Sequence, residues 1–288
     1  LVNDPGYATQ DPDVFNGNTM TYYGRWTYKY EEAARQGATG ALIVHETGPA
    51  GYGWEVVSGS WSGPQIGLQA DNLNSDKNDI EGWLTLDSAE TLFAAAGLNY
   101  QELKDAAARP NFTAVPFGDV TASVTIQNSV RTSQSQNVIA MIPGTQRPRE
   151  TIIYTAHWDH LGVNAELPGD NTYNGAADNA TGTAALLAMA KMHADAGPAP
   201  RSVVFLAVTA EESGLLGSRW YAEHPVFPLA TTVANINIDV LNTYGPMHDI
   251  VVVGNGSSEL EAYLEEAATA QGRHLVEEPN PERGYYYR

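Results

Sequence analysis

The pattern of apolar and polar positions changes near the middle of the chain. From Asn137 onward, apolar runs of four to seven residues alternate with longer stretches of helical periodicity, separated by polar loops. Such short runs are typical of strands buried on both faces, and their alternation with helices is typical of a parallel α/β sheet. The predicted strands are 138–142, 151–156, 203–209, 233–238 and 250–253, and the predicted helices are 181–194, 214–223 and 258–270. We therefore expect a mixed, largely parallel sheet with helices on both faces.

The first part of the chain has shorter elements and is richer in aromatic residues, glycine and asparagine. Periodicity and helix-stop signals predict helices and strands, and the Gly- and Ser-rich stretch 52–67 reads as a loop. The predicted helices are 30–36, 87–96 and 100–108, and the predicted strands are 40–45 and 120–126. We place the domain boundary near Val115, which gives a smaller first domain (1–115) and an α/β domain (116–288).

Composition excludes several classes of function. The 288 residues contain 15 Lys and Arg against 34 Asp and Glu, and the resulting net charge of −19 argues against nucleic acid or anionic lipid as a partner. The chain has no cysteine, so disulfides, thiolate zinc sites and a cysteine nucleophile are excluded. No apolar run approaches the length of a membrane span, so none is predicted. The oligomeric state is not predicted.

Candidate chemistry lies where the predicted strands end, which is where such sheets bind ligands. Four separate segments each bring an imidazole or a carboxylate to this edge. They are His157, Asp159 and His160 after the strand 151–156, Asp178 before the helix 181–194, Glu211 and Glu212 after the strand 203–209, and Asp239 after the strand 233–238. Each segment alone is more often a turn or a helix start. Their convergence predicts a functional site.

The donor set points to a hydrolytic metal centre. Imidazole and carboxylate ligands without thiolates suit Zn²⁺ or Mn²⁺, and a carboxylate can bridge two ions about 3.5–4 Å apart. Asp159, two residues beyond His157, is placed to orient that ring. Of the adjacent Glu211 and Glu212, one can bind metal while the other takes a proton from the attacking water. We expect His160 to lie beside the ligands, either as part of the site wall or as a residue that supports a ligand.

The motifs at these positions resemble those of the co-catalytic di-zinc aminopeptidase family, which also contains glutamate carboxypeptidases. They are TAHWDHLG (155–162), NGAADNATG (174–182), TAEESGLLGS (209–218) and NINID (235–239). The spacings also agree, with 21 residues from His157 to Asp178, 33 from Asp178 to Glu211 and 27 from Glu212 to Asp239. The segments LVNDPGY (1–7), YEEAA (30–34) and GATGALIVH (37–45) are similar to the α+β protease-associated domain inserted in many of these peptidases.

The resemblance implies a role for each residue. His157 and Asp239 would hold one zinc ion, Asp178 would bridge two zinc ions, and Glu212 would hold the second. In the same scheme Glu211 would be the general base and Asp159 would orient His157. The family's fifth ligand is a later histidine, expected beyond Arg288, and family strands are expected ahead of Leu1. The chain is therefore expected to be an inactive internal fragment of a longer, active enzyme that is secreted or periplasmic.

The predicted function is a zinc-dependent exopeptidase that removes N-terminal residues from peptides through a water bridging the two metals. A carboxypeptidase acting on acidic dipeptides is an alternative. Such an enzyme needs basic residues to bind the terminal carboxylate of its substrate, and Arg219 is the only basic residue that adjoins the motifs. A glutaminyl cyclase, related in fold, is disfavoured by the inserted domain. A non-catalytic binding ectodomain is the third alternative, and the presence of the metal-ligand residues counts against it.

Overall fold

The computed structural model describes residues 22–72, 74–109, 111–165, 167–253, 256 and 258–279, together with the backbone of 19–20 and 285–286. The motif 1–7 lies outside the described residues. The chain divides into two compact units. Unit 1 comprises Leu1–Pro64, Ala70–Gln127 and Pro246–Arg288, and unit 2 comprises Gln65–Gln69 and Asn128–Gly245. The assignment of 1–115 to a protease-associated domain and of 116–288 to a peptidase domain stays a prediction.

Helices and strands alternate through most of the described chain. The α-helices are α1 Trp26–Arg35, α2 Thr47–Ala50, α3 Trp54–Trp61, α4 Leu86–Ala95, α5 Tyr100–Ala107, α6 Ala180–Ala196, α7 Leu216–Glu223 and α8 Leu260–Ala270. The strands are β1 Thr19–Met20, β2 Gly40–His45, β3 Ile80–Thr85, β4 Val138–Ile142, β5 Arg147–His157, β6 Gly162–Val163, β7 Thr172–Tyr173, β8 Arg201–Val208, β9 Thr232–Asn237, β10 Asp249–Val252, β11 His274–Glu277 and β12 Tyr285–Tyr286. Short 3-10 helices cover Tyr22–Gly24 and Leu229–Thr231.

Unit 2 is built on a four-stranded sheet with the order β4-β8-β5-β9. Strand β5 pairs in parallel with β8 and with β9, while β4 runs antiparallel to β8. The sheet is therefore mixed and largely parallel, which confirms the predicted fold class. Since three of its strands point the same way, their carboxyl ends reach one edge.

Helices cover both faces of this sheet. Strand β8 is apolar along almost its whole length, as expected for a strand without a solvent-facing side. Its alternate residues point to opposite faces: Val204 and Leu206 cluster with Tyr221 of α7, whereas Phe205 clusters with Leu186 of α6. The predicted helices on both faces are confirmed by these two packing clusters.

Unit 1 contains the parallel strand pairs β2/β3, β10/β11 and β1/β12. The core beside β2 and β3 is aromatic: Tyr30 of α1 packs on the fully buried Ile43, and the rings of Trp26 and Trp61 lie against it. The Tyr30 hydroxyl donates a hydrogen bond of 2.7 Å to the Gly82 carbonyl oxygen. This contact ties α1 to β3.

Two local expectations were wrong. The predicted loop 52–67 contains helix α3, in which burial of Val57 offsets the poor helix propensity of its Ser and Gly residues. The predicted strand 120–126 forms no regular structure, and its apolar side chains Val124 and Ile126 are exposed. An alternating pattern without a pairing strand is not sufficient for a strand. Strands β3 and β11 were not predicted.

No helix among the described residues has the length and apolar character needed to cross a bilayer.

Candidate metal centre

The predicted site residues lie at the carboxyl ends of the parallel strands of unit 2. Strand β5 ends at His157, Glu211 follows β8 after a short turn, and Asp239 lies just beyond β9. Asp178 precedes the first residue of α6, which packs against β5 and β8. The parallel register of the sheet therefore brings together side chains that are far apart in the sequence.

The buried imidazole of His157 faces two carboxylates. Its Nδ1 lies 3.0 Å from the backbone carbonyl oxygen of Asp159, and its Nε2 lies 3.1 Å from Asp178 Oδ1 and 3.3 Å from Asp239 Oδ1. Because a carbonyl oxygen only accepts hydrogen bonds, this contact assigns the proton of the neutral ring to Nδ1. The Nε2 lone pair then points at two anionic oxygens, an arrangement that is favourable only with a positive charge between them.

A metal ion fits this arrangement. Asp178 Oδ1 is buried and accepts no hydrogen bond from any residue that the structure describes, although a buried oxygen normally has a donor. Two ligands of one tetrahedral zinc ion, each about 2.0–2.2 Å from it, lie about 3.3 Å apart. The separations of 3.1 and 3.3 Å around His157 Nε2 match that spacing. The donor set of one imidazole and two carboxylates therefore suits zinc.

The protonation of His157 reflects the same concentration of negative charge. Burial lowers the pKa of its imidazole, but the hydrogen bond to the Asp159 carbonyl and the charges of Glu211 and Asp239 raise it, and the net shift is upward. Without a metal ion, the carboxylates favour a positively charged ring at this position. The site therefore stabilises a cation by its charge distribution as well as by its geometry.

Asp159 links the His157 loop to the two adjacent glutamates. Its carboxylate accepts the backbone N–H of Glu211 on Oδ1 at 3.1 Å and that of Glu212 on Oδ2 at 3.3 Å. We expected this carboxylate to orient His157, but Oδ1 lies 3.8 Å from the ring nitrogen, and the 3.0 Å contact comes from the Asp159 carbonyl. Asp159 therefore fixes the imidazole with its backbone and the glutamate turn with its side chain.

A second group of potential ligands adjoins the first. One ligand atom each from His160, Asp178 and Glu212 lies within 4.8 Å of the others, and the same holds for His157, Glu211 and Glu212. His160 was expected in the wall of the site or in support of a ligand, and the structure places its Nδ1 only 2.7 Å from Glu212 Oε1. All six predicted site residues are therefore brought together, and Asp178 belongs to both the His157 group and the His160 group.

Asn179 is a supporting residue that the sequence analysis treated only as part of a turn. Its side chain is 2% exposed, and its Nδ2 donates to the Ile238 carbonyl oxygen at 2.9 Å. Its Oδ1 accepts the backbone N–H of Gly182 at 3.0 Å, which caps α6, and that of Val240 at 3.2 Å. These bonds hold both neighbours of Asp239 against the segment that carries Asp178. An Asn two residues before the predicted helix was the available signal for the cap.

Sequence comparisons agree with the motifs. Residues 137–288, more than half of the chain, match the sequence profile described as Peptidase family M28. Aminopeptidase YwaD of Bacillus subtilis (strain 168) is 34% identical over 111 residues, which cover 38% of this chain and 22% of that protein. Aminopeptidase NAALADL1 of Mus musculus is 31% identical over 123 residues, which cover 41% of this chain and 15% of that protein.

Similar solved structures include two aminopeptidases. BSAP, a zinc aminopeptidase from Bacillus subtilis, has 29% identity and a TM-score of 0.40, and the match covers 50% of this chain and 34% of that one. The aminopeptidase from Aneurinibacillus sp. strain AM-1 has 16% identity and a TM-score of 0.41 over 96% of this chain and 64% of that one. The chain spans less than a quarter of the length of each of the two curated relatives, YwaD and NAALADL1. The profile match confirms the family resemblance that the motifs predicted.

Proposed function

Because the chain belongs to peptidase family M28, we propose that its protein is a zinc-dependent exopeptidase that removes N-terminal residues from peptides. One observation carries the proposal: His157 Nε2 lies 3.1 Å from an Asp178 oxygen and 3.3 Å from an Asp239 oxygen, beside the pair Glu211 and Glu212. The aminopeptidase names of two curated relatives support the N-terminal direction. A location outside the cytoplasm is part of the proposal and follows from the motif resemblance.

We assign the ligands to two zinc ions. His157 and Asp239 would hold the first ion and Glu212 the second, and Asp178 would serve both, since its carboxylate belongs to both ligand groups. Zinc suits this set better than magnesium because each group contains an imidazole, whereas magnesium prefers oxygen ligands. When bound, the ions polarise the scissile carbonyl group and increase the acidity of the attacking water.

Glu211 is the proposed general base. Its backbone N–H is fixed by the Asp159 carboxylate, so the residue cannot drift away from the ligand groups. Its carboxylate accepts a proton from the attacking water and passes that proton to the departing amine, which keeps the proton balance of hydrolysis. Glu212, held by the same turn, remains available as a ligand.

The charge around the site favours a substrate with a free amino group. The five carboxylates of the site carry −5 against +4 on two zinc ions, so a net charge of −1 remains, which favours a protonated N-terminus over a C-terminal carboxylate. Arg219, the basic residue that adjoins the motifs, forms an ion pair with Glu223 at 2.8 Å. The carboxypeptidase alternative therefore gains no support from this residue.

The test uses the full-length protein and the substitution Glu211→Gln, which keeps the shape of the side chain but removes the base. We expect turnover of a peptide with a free N-terminus to fall about 100- to 10,000-fold, while the zinc content measured by mass spectrometry stays unchanged. Glu223→Gln, on the exposed surface of α7, is the matched control and keeps full turnover.

Two results contradict the proposal. If folded Glu211→Gln loses zinc, Glu211 is a ligand and the division between the two glutamates is wrong. If the wild-type protein cleaves N-acetylated peptides as fast as peptides with a free amine, the exopeptidase assignment is wrong.

A further inference from the structure

We propose that His160 is a positioning residue for the second cation site: its Nδ1–H donates a hydrogen bond to Glu212 Oε1 and holds that carboxylate ready to bind metal. The inference rests on the proposed function, since it concerns the ion that Glu212 and Asp178 share. It gives His160 a role distinct from both a metal ligand and a passive wall residue.

The distances within the centre distinguish a ligand from a hydrogen-bond donor. His160 Nδ1 lies 2.7 Å from Glu212 Oε1, which is the length of a hydrogen bond to a charged acceptor. Two ligands of one tetrahedral zinc ion lie about 3.3 Å apart, as found for His157 Nε2 and its two carboxylate oxygens. His160 Nδ1 and Glu212 Oε1 are therefore too close to each other to bind one ion together, whereas the atoms of the His157 pairs are not.

The surroundings of His160 keep its ring at this position. Gly175 has a φ of +64° and lies against the ring, since a Cβ placed there would be 3.0 Å from His160 Cβ and 3.1 Å from its Cγ. Tyr173 meets the ring edge-on, with centroids 6.4 Å apart. Both neighbours belong to the segment that leads to Asp178, so the ring is confined between that segment and the Glu212 turn.

The hydrogen bond has a consequence for metal binding. It occupies Glu212 Oε1 and leaves the second carboxylate oxygen for a cation, so the carboxylate is oriented before the ion arrives. A ligand that is already oriented loses less conformational freedom on binding, and residues that orient metal ligands commonly change metal affinity about 10- to 100-fold. His160 should therefore affect the second ion much more than the first.

The experiment measures stepwise zinc affinities of the full-length protein by competition with a chromophoric chelator. His160→Ala removes the donor, whereas His160→Asn places an amide N–H close to the former Nδ1 position. His224→Ala, at an exposed histidine on a helix end, is the matched control. We expect His160→Ala to weaken one of two zinc sites about 10- to 100-fold and to leave the other unchanged. His160→Asn should restore most of this loss, and His224→Ala should change neither site.

The other outcomes separate the two proposals. If His160→Ala changes neither affinity, or both equally, the positioning role is overturned. If His160→Asn binds as weakly as His160→Ala, the imidazole itself is the ligand and the role is also overturned. If the wild-type protein binds no zinc at all, the proposed function fails, and the inference that rests on it fails for that separate reason.

Discussion

The substitution Asn179→Ala tests whether the segments carrying Asp178 and Asp239 are held together by one buried side chain. It removes the helix cap to Gly182, which is worth about 1 kcal/mol. It also leaves the N–H of Val240 and the carbonyl of Ile238 without their partner, at about 1–3 kcal/mol each. Ile238 and Val240 are not fully buried, so the lower values apply. We expect a loss of about 3 kcal/mol in the free energy of unfolding.

The loss of unfolding free energy is measured by urea unfolding. Hydrogen exchange of the α6 amides is the probe, because α6 belongs to unit 2. For a urea m-value of about 1–3 kcal/mol/M, a loss of this size lowers the midpoint by about 1–3 M. Asn242→Ala is the control in the same unit: its side chain makes two hydrogen bonds at 2.8 Å, with the Tyr244 N–H and the Gly245 carbonyl oxygen, but it is exposed to water. We expect the control to change stability by less than about 0.5 kcal/mol. Equal losses in the two variants would refute the reasoning.

Two further predictions concern stability. Gly217→Ala places a Cβ 2.7 Å from the backbone nitrogen of Thr209 and should destabilise the protein by about 2–3 kcal/mol. Gly59→Ala, at a position in α3 with open space around it, should stabilise the protein by up to about 1 kcal/mol. Thermal melts in which both variants shift stability in the same direction would contradict this prediction. Burial raises the pKa of the Tyr30 phenol, so the unfolded chain ionises first, and stability falls as pH rises above about 10. Tyr30→Phe should reduce that fall in urea midpoints, and an unchanged pH dependence would exclude Tyr30 as its source.

The strands of the sheet were predictable because their burial leaves a direct trace in the sequence. Strand β8 is a run of apolar residues whose predicted bounds lie close to the observed ones, and the apolar second half of β5 was predicted as well. The start of β5 was missed because its polar first residues carry no apolar signal, although Arg147 pairs with Arg201 of the neighbouring strand. Pairing partners of this kind are set by tertiary contacts, which a single sequence does not display.

The same distinction applies to the candidate site. The positions of His157, Asp178 and Asp239 were predictable because each follows or precedes a recognisable element. The two hydrogen bonds that the Asp159 carboxylate accepts from backbone N–H groups were not predictable. The three hydrogen bonds of the Asn179 side chain were not predictable either. Such bonds join side chains to the main chain of distant segments and leave no periodic pattern.

The long separation of the site's segments along the chain has a consequence for folding kinetics. His157 and Asp239 are 82 residues apart, and His160 and Glu212 are 52 apart. Contacts of such high contact order form slowly, because a large loop must close before they contribute any favourable energy. Short peptides from this region do not contain a complete set of donors, so metal cannot nucleate the fold as it does in a zinc finger. The cation is thus expected to enter a centre that the nascent protein has already assembled.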